Sequence, residues 1–220
     1  EGEGIPDVVI AEVVECGKHP DADKLSVCKV SDGGAELIDI VCGAPNARVG
    51  LKTPVAKPGV KLPNGMKLRK AKIRGVVSNG MLCSAVELGL GDESDGIMEL
   101  PADAPVGSPL VEFLHLPDAV IDVDLTPNRG DCFSILGVAR DVAALTGDEL
   151  MKPEFASPEA TIDDTHPVEL VEPAGCPRFA GRVVRGVDLT ARSPIWMVER
   201  LRRAGLREIH PVVDVTNYVM

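Results

Sequence analysis

Through the first hundred residues, each apolar run is only long enough for a strand, and each ends in a turn signal. Residues 8–14, Val-Val-Ile-Ala-Glu-Val-Val, are rich in β-branched side chains and predict the first strand. His19-Pro20-Asp21-Ala22-Asp23-Lys24-Leu25 is turn-rich, residues 27–30 return to strand, and Ser31-Asp32-Gly33-Gly34 turns the chain again. Residues 36–42 predict a third strand, with Ile38, Ile40 and Cys42 on one face and Asp39 on the other. Residues 53–61 predict a fourth, interrupted at Pro58-Gly59, and residues 66–74 its returning partner. Between them, Asn64-Gly65 predicts a type I′ turn, which needs positive φ at both central positions. Residues 96–100 add one more strand. No aromatic residue occurs from Glu1 through Glu112, so this core must be built from Val, Ile, Leu, Ala and Met. Regular short strands without a long helix predict a small closed barrel or sandwich. The five-stranded oligonucleotide/oligosaccharide-binding (OB) barrel is the nucleic-acid-binding member of that class.

Charge is distributed unevenly over this pattern. Between residues 40 and 86 there is no acidic residue, yet there are nine cations: Arg48, Lys52, Lys57, Lys61, Lys67, Arg69, Lys70, Lys72 and Arg74. The whole chain carries a formal −11, so everything outside the window sums to −20. A local positive field of this kind attracts polyanions that the whole protein would repel. On a strand of period 2, Lys70, Lys72 and Arg74 would share one exposed face, opposite Ala71 and Ile73. A cation ladder of that spacing suits a phosphate backbone, and it also protects an edge strand from aggregation.

After residue 104 the texture changes. Residues 120–125 predict a strand, and Asp131 predicts the cap of a helix running to Thr146 with Gly147 as its stop. Ile135, Val138, Val142 and Leu145 recur at helical spacing, the mark of a packing face. Residues 152–167 read as a linker, and strand-like runs follow at 168–172 and 179–185. Ser193-Pro194 predicts a capped helix ended by Gly205, with Ile195, Val198 and Leu201 inward and Arg200, Arg202 and Arg203 outward.

Several chemistries find no support. Cys16, Cys28, Cys42, Cys83, Cys132 and Cys176 form no C-x-x-C pair, and the four histidines are isolated, so no metal site is expected. The thiols read as small hydrophobes in a reducing, cytoplasmic setting. The opening residues Glu1 to Asp7 lack the basic and apolar regions of a secretory signal and read as a cut end.

Four motifs occur in order. They are His19 to Leu25, Ile40-Val41-Cys42-Gly43-Ala44-Pro45-Asn46, Ala71-Lys72-Ile73-Arg74-Gly75 and Gly80-Met81-Leu82-Cys83-Ser84-Ala85. Together they resemble the tRNA-binding OB module. Asp124-Leu125-Thr126-Pro127-Asn128-Arg129-Gly130-Asp131-Cys132, Leu136-Gly137-Val138-Ala139-Arg140 and the Val212 to Val219 segment resemble the β subunit of bacterial phenylalanyl-tRNA synthetase. The resemblance implies an α+β multidomain fragment. Residues 1–115 would be the OB domain, 116–150 the second half of a split small α+β domain, 151–165 a linker and 166–220 the truncated start of a B3/B4-type editing domain. It implies a heterotetramer that uses ATP and magnesium to charge tRNA(Phe), with the aminoacylation site on the α subunit and no cofactor or catalytic residue for that step here. It also implies that Thr216 and Asn217 line part of a pocket that edits tRNA mischarged with tyrosine, in a longer chain. The nine cations are the candidate tRNA-binding residues. The alternatives are a scaffold whose basic face docks acidic protein, and a free-standing tRNA-binding protein, against which residues 120–220 argue. Without aromatic platforms, contacts to RNA should be mainly to phosphate and sugar.

Overall fold

The computed structural model describes residues 2, 4, 5, 7–91 and 95–220; Glu1, Glu3 and Pro6 of the opening stretch lie outside the described residues. The chain divides into two compact units, one of Glu1–Val120 with Ala191–Met220 and one of Ile121–Thr190.

The first unit is organised by one long strand, β1, Val8–His19. Its first half pairs antiparallel with β4, Lys52–Ala56, and its second half with β2, Ala22–Ser31. A register shift between Val13 and Glu15 lets β1 bend between these two partners. Strands β3, Ile38–Cys42, and β7, Met81–Leu82, complete a sheet of order β3-β2-β1-β4-β7. Its far edges come together where Asn79 N–H donates to Asp39 O at 2.7 Å, which leaves a nearly closed, OB-like barrel. A separate two-stranded hairpin, β5 (Ala71–Ile73) and β6 (Val76–Ser78), stands against β3.

β1 is buried on both faces. Ala11 and Val13 join Cys28, Val30, Ile40, Leu51 and Val55 in one cluster; Val8 and Ile10 join Leu62, Leu88, Leu90, Leu110 and Leu114 in the other. None of these side chains is aromatic, as the composition requires. Each buried aliphatic side chain contributes roughly 1.5–3 kcal/mol. Helix α1, Leu110–Phe113, seals the second cluster, and Ile195 of α3, Ile195–Arg203, packs against it. Helix α4, Pro211–Val219, follows α3.

Several sequence expectations are corrected. The turn at 19–25 is shorter than expected: only Pro20 and Asp21 turn, and β2 starts at Ala22. Residues 96–100 contribute a single bridge, Lys52 to Leu100. No strand forms at 120–125, 168–172 or 179–185, where the β-branched residues find no partner strand to satisfy their backbone. Helix α2, Ile135–Thr146, is capped by Ser134, whose Oγ accepts from Gly137 N–H at 3.0 Å, and not by Asp131. Gly147 does end it, in the left-handed region at φ 79°. Of the predicted packing face, Ile135, Val142 and Leu145 are exposed, the first and last at 92% and 86%, and only Val138 is half-buried, so most of that face is uncovered among the described residues. At α3, Pro194 takes the cap position, and Ser193 spends its hydroxyl on Asp214. Arg203 is not outward: its guanidinium donates to Leu114 O at 2.6 Å and pairs with Asp118 and Glu199.

Candidate nucleic-acid interface

The nine cations of the acid-free window separate into two groups. Arg48 is engaged: its guanidinium pairs with both carboxylate oxygens of Glu99 at 2.8 Å. That guanidinium, helped by the Asn46 amide, holds Glu99 down to about 2. Lys52 is half-buried and donates to Ala104 O at 2.7 Å. Lys57 pairs with Asp32 and holds that carboxyl below its usual range. Arg74 donates to Asp21 O at 3.1 Å. Lys61, Lys67, Arg69, Lys70 and Lys72 are exposed and have no acidic partner among the described residues.

Lys61 and Lys67 lie on one hairpin and Lys72 on the next, with Arg69 and Lys70 on the link between them. In the first, Lys61 and Lys67 are bridge partners on opposite strands. Like charges directly opposed are destabilising unless an anion lies between them. The loop of this hairpin is not the expected type I′ turn. Gly65 N–H donates to Leu62 O at 2.9 Å and only Gly65 has positive φ, so Pro63 and Asn64 form an ordinary turn followed by one left-handed glycine. The two positive φ values of a type I′ turn occur instead at Arg74 (43°) and Gly75 (89°), between the paired residues Ile73 and Val76. Residues 66–68 pair back as expected, but 71–73 leave to pair with 76–78.

The expected ladder is therefore altered. Lys72 sits in β5, Lys70 precedes the strand, and Arg74 is in the turn with a left-handed backbone. Period 2 holds for Lys70 and Lys72 and ends before Arg74, because a residue at positive φ leaves the pleat. One residue that sequence reasoning passed over sits beside Arg74. His19 is 5% exposed and links the tip of the β1–β2 hairpin to the tip of the β5–β6 hairpin. Its only sequence signal was the turn motif that contains it.

Thr216 and Asn217 lie in α4, where the Thr216 hydroxyl donates to Val213 O at 2.6 Å and Asn217 is half-buried. The group that organises this region is Asp214, fully buried, which accepts from Ser193 Oγ and from Ile209 N–H at 2.9 Å. Trp196 and Tyr218 meet edge to face at 5.3 Å, and Arg200 stands 5.6 Å from the Trp196 ring centre.

In the second unit, Asp131, Cys132 and Asp141 bring their ligand atoms close enough for a metal ion. The Arg129 guanidinium already occupies that space, 3.1 Å from Asp131 Oδ1, 2.6 Å from Asp141 Oδ2 and 2.7 Å from Cys132 Sγ. It lowers both carboxyls and opposes a second cation there. No helix among the described residues is long and apolar enough to cross a membrane.

Residues 8–109 match the family model of a putative tRNA-binding domain, and residues 175–220 match that of the B3/4 domain. Over 213 residues, 97% of the chain, the sequence is 58% identical to the phenylalanine–tRNA ligase β subunits of Pseudoalteromonas translucida and Idiomarina loihiensis, and 54% identical to that of Yersinia pestis. The chain spans 27% of the length of these relatives. A methionyl-tRNA-synthetase-related protein from Pyrococcus horikoshii aligns over 48% of the chain and 89% of its own, at 23% identity and a TM-score of 0.35, too low to bear on the fold. With both modules in order and a match that runs almost from end to end, the chain belongs, over the stretch it covers, to the family of phenylalanine–tRNA ligase β subunits.

Proposed function

We propose that the chain is the N-terminal part of a cytoplasmic phenylalanine–tRNA ligase β subunit, and that its two basic hairpins give auxiliary binding of tRNA(Phe). The α subunit would supply the aminoacylation site with its ATP and magnesium, as the other half of an α2β2 enzyme. In the longer chain, Thr216 and Asn217 would help line a pocket that edits Tyr-tRNA(Phe). The domain reading is 1–115 for the OB module, 116–150 for half of a split domain, 151–165 for a linker and 166–220 for the start of the editing domain.

The observation that carries the binding reading is the set of cations without an acidic partner among the described residues, Lys61, Lys67, Arg69, Lys70 and Lys72, with Lys61 held opposite Lys67. Arg48, Lys52 and Lys57 have intramolecular partners and are secondary candidates; Arg74 holds a carbonyl and keeps donors to spare. No aromatic side chain lies within residues 61–78, so stacking on bases cannot contribute there. Recognition rests on phosphate and sugar, with little sequence selectivity.

The test is a filter-binding titration of a tRNA(Phe) transcript from low to moderate salt. About 4–6 phosphate contacts give a log K against log salt slope of roughly −3 to −5. Replacing Lys61, Lys67, Lys70 and Lys72 by Ala together should weaken binding by at least about tenfold and flatten that slope. Unchanged binding by this variant would remove the hairpins from the interface.

A further inference from the structure

We propose that His19 is a positioning residue for tRNA recognition, a latch that ties the tip of the β5–β6 hairpin to the tip of the β1–β2 hairpin. This rests on the binding reading above, and it concerns how Lys70 and Lys72 are held for an RNA backbone.

The hairpin needs such a latch. Its strands are three residues each, and it is a sheet of its own. A two-stranded hairpin of that size is not independently stable in water. Its base is tied to the barrel, because Ser78 Oγ accepts from Val41 N–H at 3.0 Å and Asn79 N–H donates to Asp39 O at 2.7 Å. Its tip, Arg74-Gly75, lies beyond both of these ties.

His19 supplies the missing tie. The ring is buried at 5% exposure. Asp21 N–H donates to Nδ1 at 3.0 Å, so Nδ1 is the unprotonated acceptor and Nε2 carries the hydrogen. Nε2 then donates to Ile73 O, 3.1 Å away and 54 residues along the chain. Arg74 returns the connection, its guanidinium donating to Asp21 O at 3.1 Å. One hairpin tip thus donates to the other through an imidazole and receives a guanidinium hydrogen bond in exchange. Lys72 lies directly before Ile73, so the backbone that carries this cation is fixed by the latch. Fixing it before RNA arrives removes the ordering cost that a free hairpin would meet on binding.

The two ring nitrogens do separable work, and this makes the latch testable. The Nδ1 bond spans i to i+2 and is the kind of turn that Asn or Asp forms with its own backbone. His19→Asn should keep that turn but lose the reach to Ile73 O. His19→Gln should place an amide N–H near the Nε2 position and restore the latch. In the 220-residue protein, with a tRNA(Phe) transcript as probe, His19→Asn should bind about 3–10-fold more weakly. Its salt slope should be less negative by about 1–2, the loss of one or two phosphate contacts. His19→Gln should recover at least half of both changes. In the free proteins, amide hydrogen exchange should rise at residues 73–77 in His19→Asn and stay protected in β1 and β2.

Wild-type affinity in His19→Asn, with weakened binding in a Lys70→Ala/Lys72→Ala variant, would overturn the latch and leave the interface standing. Unchanged binding in the double lysine variant would overturn the hairpin's role in binding, and the latch with it. Weak binding in both His19 variants, with unchanged exchange at 73–77, would also overturn it. If His19→Asn fails to fold, His19→Gln must still bind within about threefold of wild type and keep residues 73–77 protected; weaker binding or lost protection there would overturn the latch.

Discussion

Arg48 and Glu99 show why a charge pattern along the chain is not yet a charge pattern in space. The window from 40 to 86 contains no acid, but the fold brings Glu99 to Arg48 and Asp32 to Lys57 from outside it. Among the described residues, the cations of the window left without an acidic partner are concentrated between Lys61 and Lys72. The Arg48–Glu99 pair carries its own prediction. Glu99, with its side chain 19% exposed, is held to about 2, below its unfolded value of 4.5. The folded carboxylate is favoured, so the pair's contribution is complete above about pH 5 and is lost as pH falls towards 2. Since Arg48 is more than half exposed, solvent screening limits this to on the order of 1 kcal/mol. Urea unfolding of wild type and Glu99→Gln should differ by about that amount at pH 7, and the difference should begin to shrink below about pH 4.5 and approach zero only near pH 2. A constant difference across that range would mean that Glu99 acts through packing or its Asn46 hydrogen bond instead.

At the scale of elements, local signals survived where they named a conformation and failed where they named a partner. Gly147 and Gly65 take the left-handed backbone that their positions predicted. The type I′ turn exists, but at Arg74-Gly75, because two residues separate the paired Ile73 and Val76 there, whereas three separate the hydrogen-bonded Leu62 and Met66 around Asn64-Gly65. In sequence, Asp214 stands between Val213 and Val215 with nothing local to mark it. In the structure it anchors the approach from α3 to α4. Asp214→Ala would strand the buried Ser193 hydroxyl at about 1–3 kcal/mol, while the N–H of the exposed Ile209 can turn to water. Trp196, the single tryptophan, sits on α3 against Tyr218 of α4 and reports on this region alone. Its fluorescence transition in urea should move to lower denaturant by about 1–3 kcal/mol in this variant. An unmoved transition would show that Asp214 does not hold the two helices together.

For the whole molecule, the division into units follows contacts rather than chain order. Residues 191–220 return to the barrel unit through Ile195, which packs on its core, and through Arg203, which meets Leu114 O and Asp118. Between residues 148 and 192 nearly every residue is exposed and none is in regular structure. Brief trypsin treatment should therefore cut first at sites such as Arg178 and Arg182. The released α3–α4 piece should still co-elute with the barrel on gel filtration and separate only in denaturant. Elution apart in native buffer would show that the packing of Ile195 and Arg203 is too weak to hold it.

Sequence alone determined the barrel and the charge pattern from which its recognition of RNA is proposed. Strand-length apolar runs, turns at regular spacing and a core without aromatics leave little else to build, and four ordered motifs with a basic window point to RNA. These signals are local, and period 2, turn residues and net charge are properties of neighbouring residues. Tertiary structure decided which cations stay free, where the hairpin leaves its first partner, and that no strands form beyond residue 119 among the described residues. It also decided that a buried histidine in a turn motif joins two hairpin tips 54 residues apart. Those outcomes depend on which distant groups the closed barrel brings together, and pairing across the chain leaves no local trace in sequence.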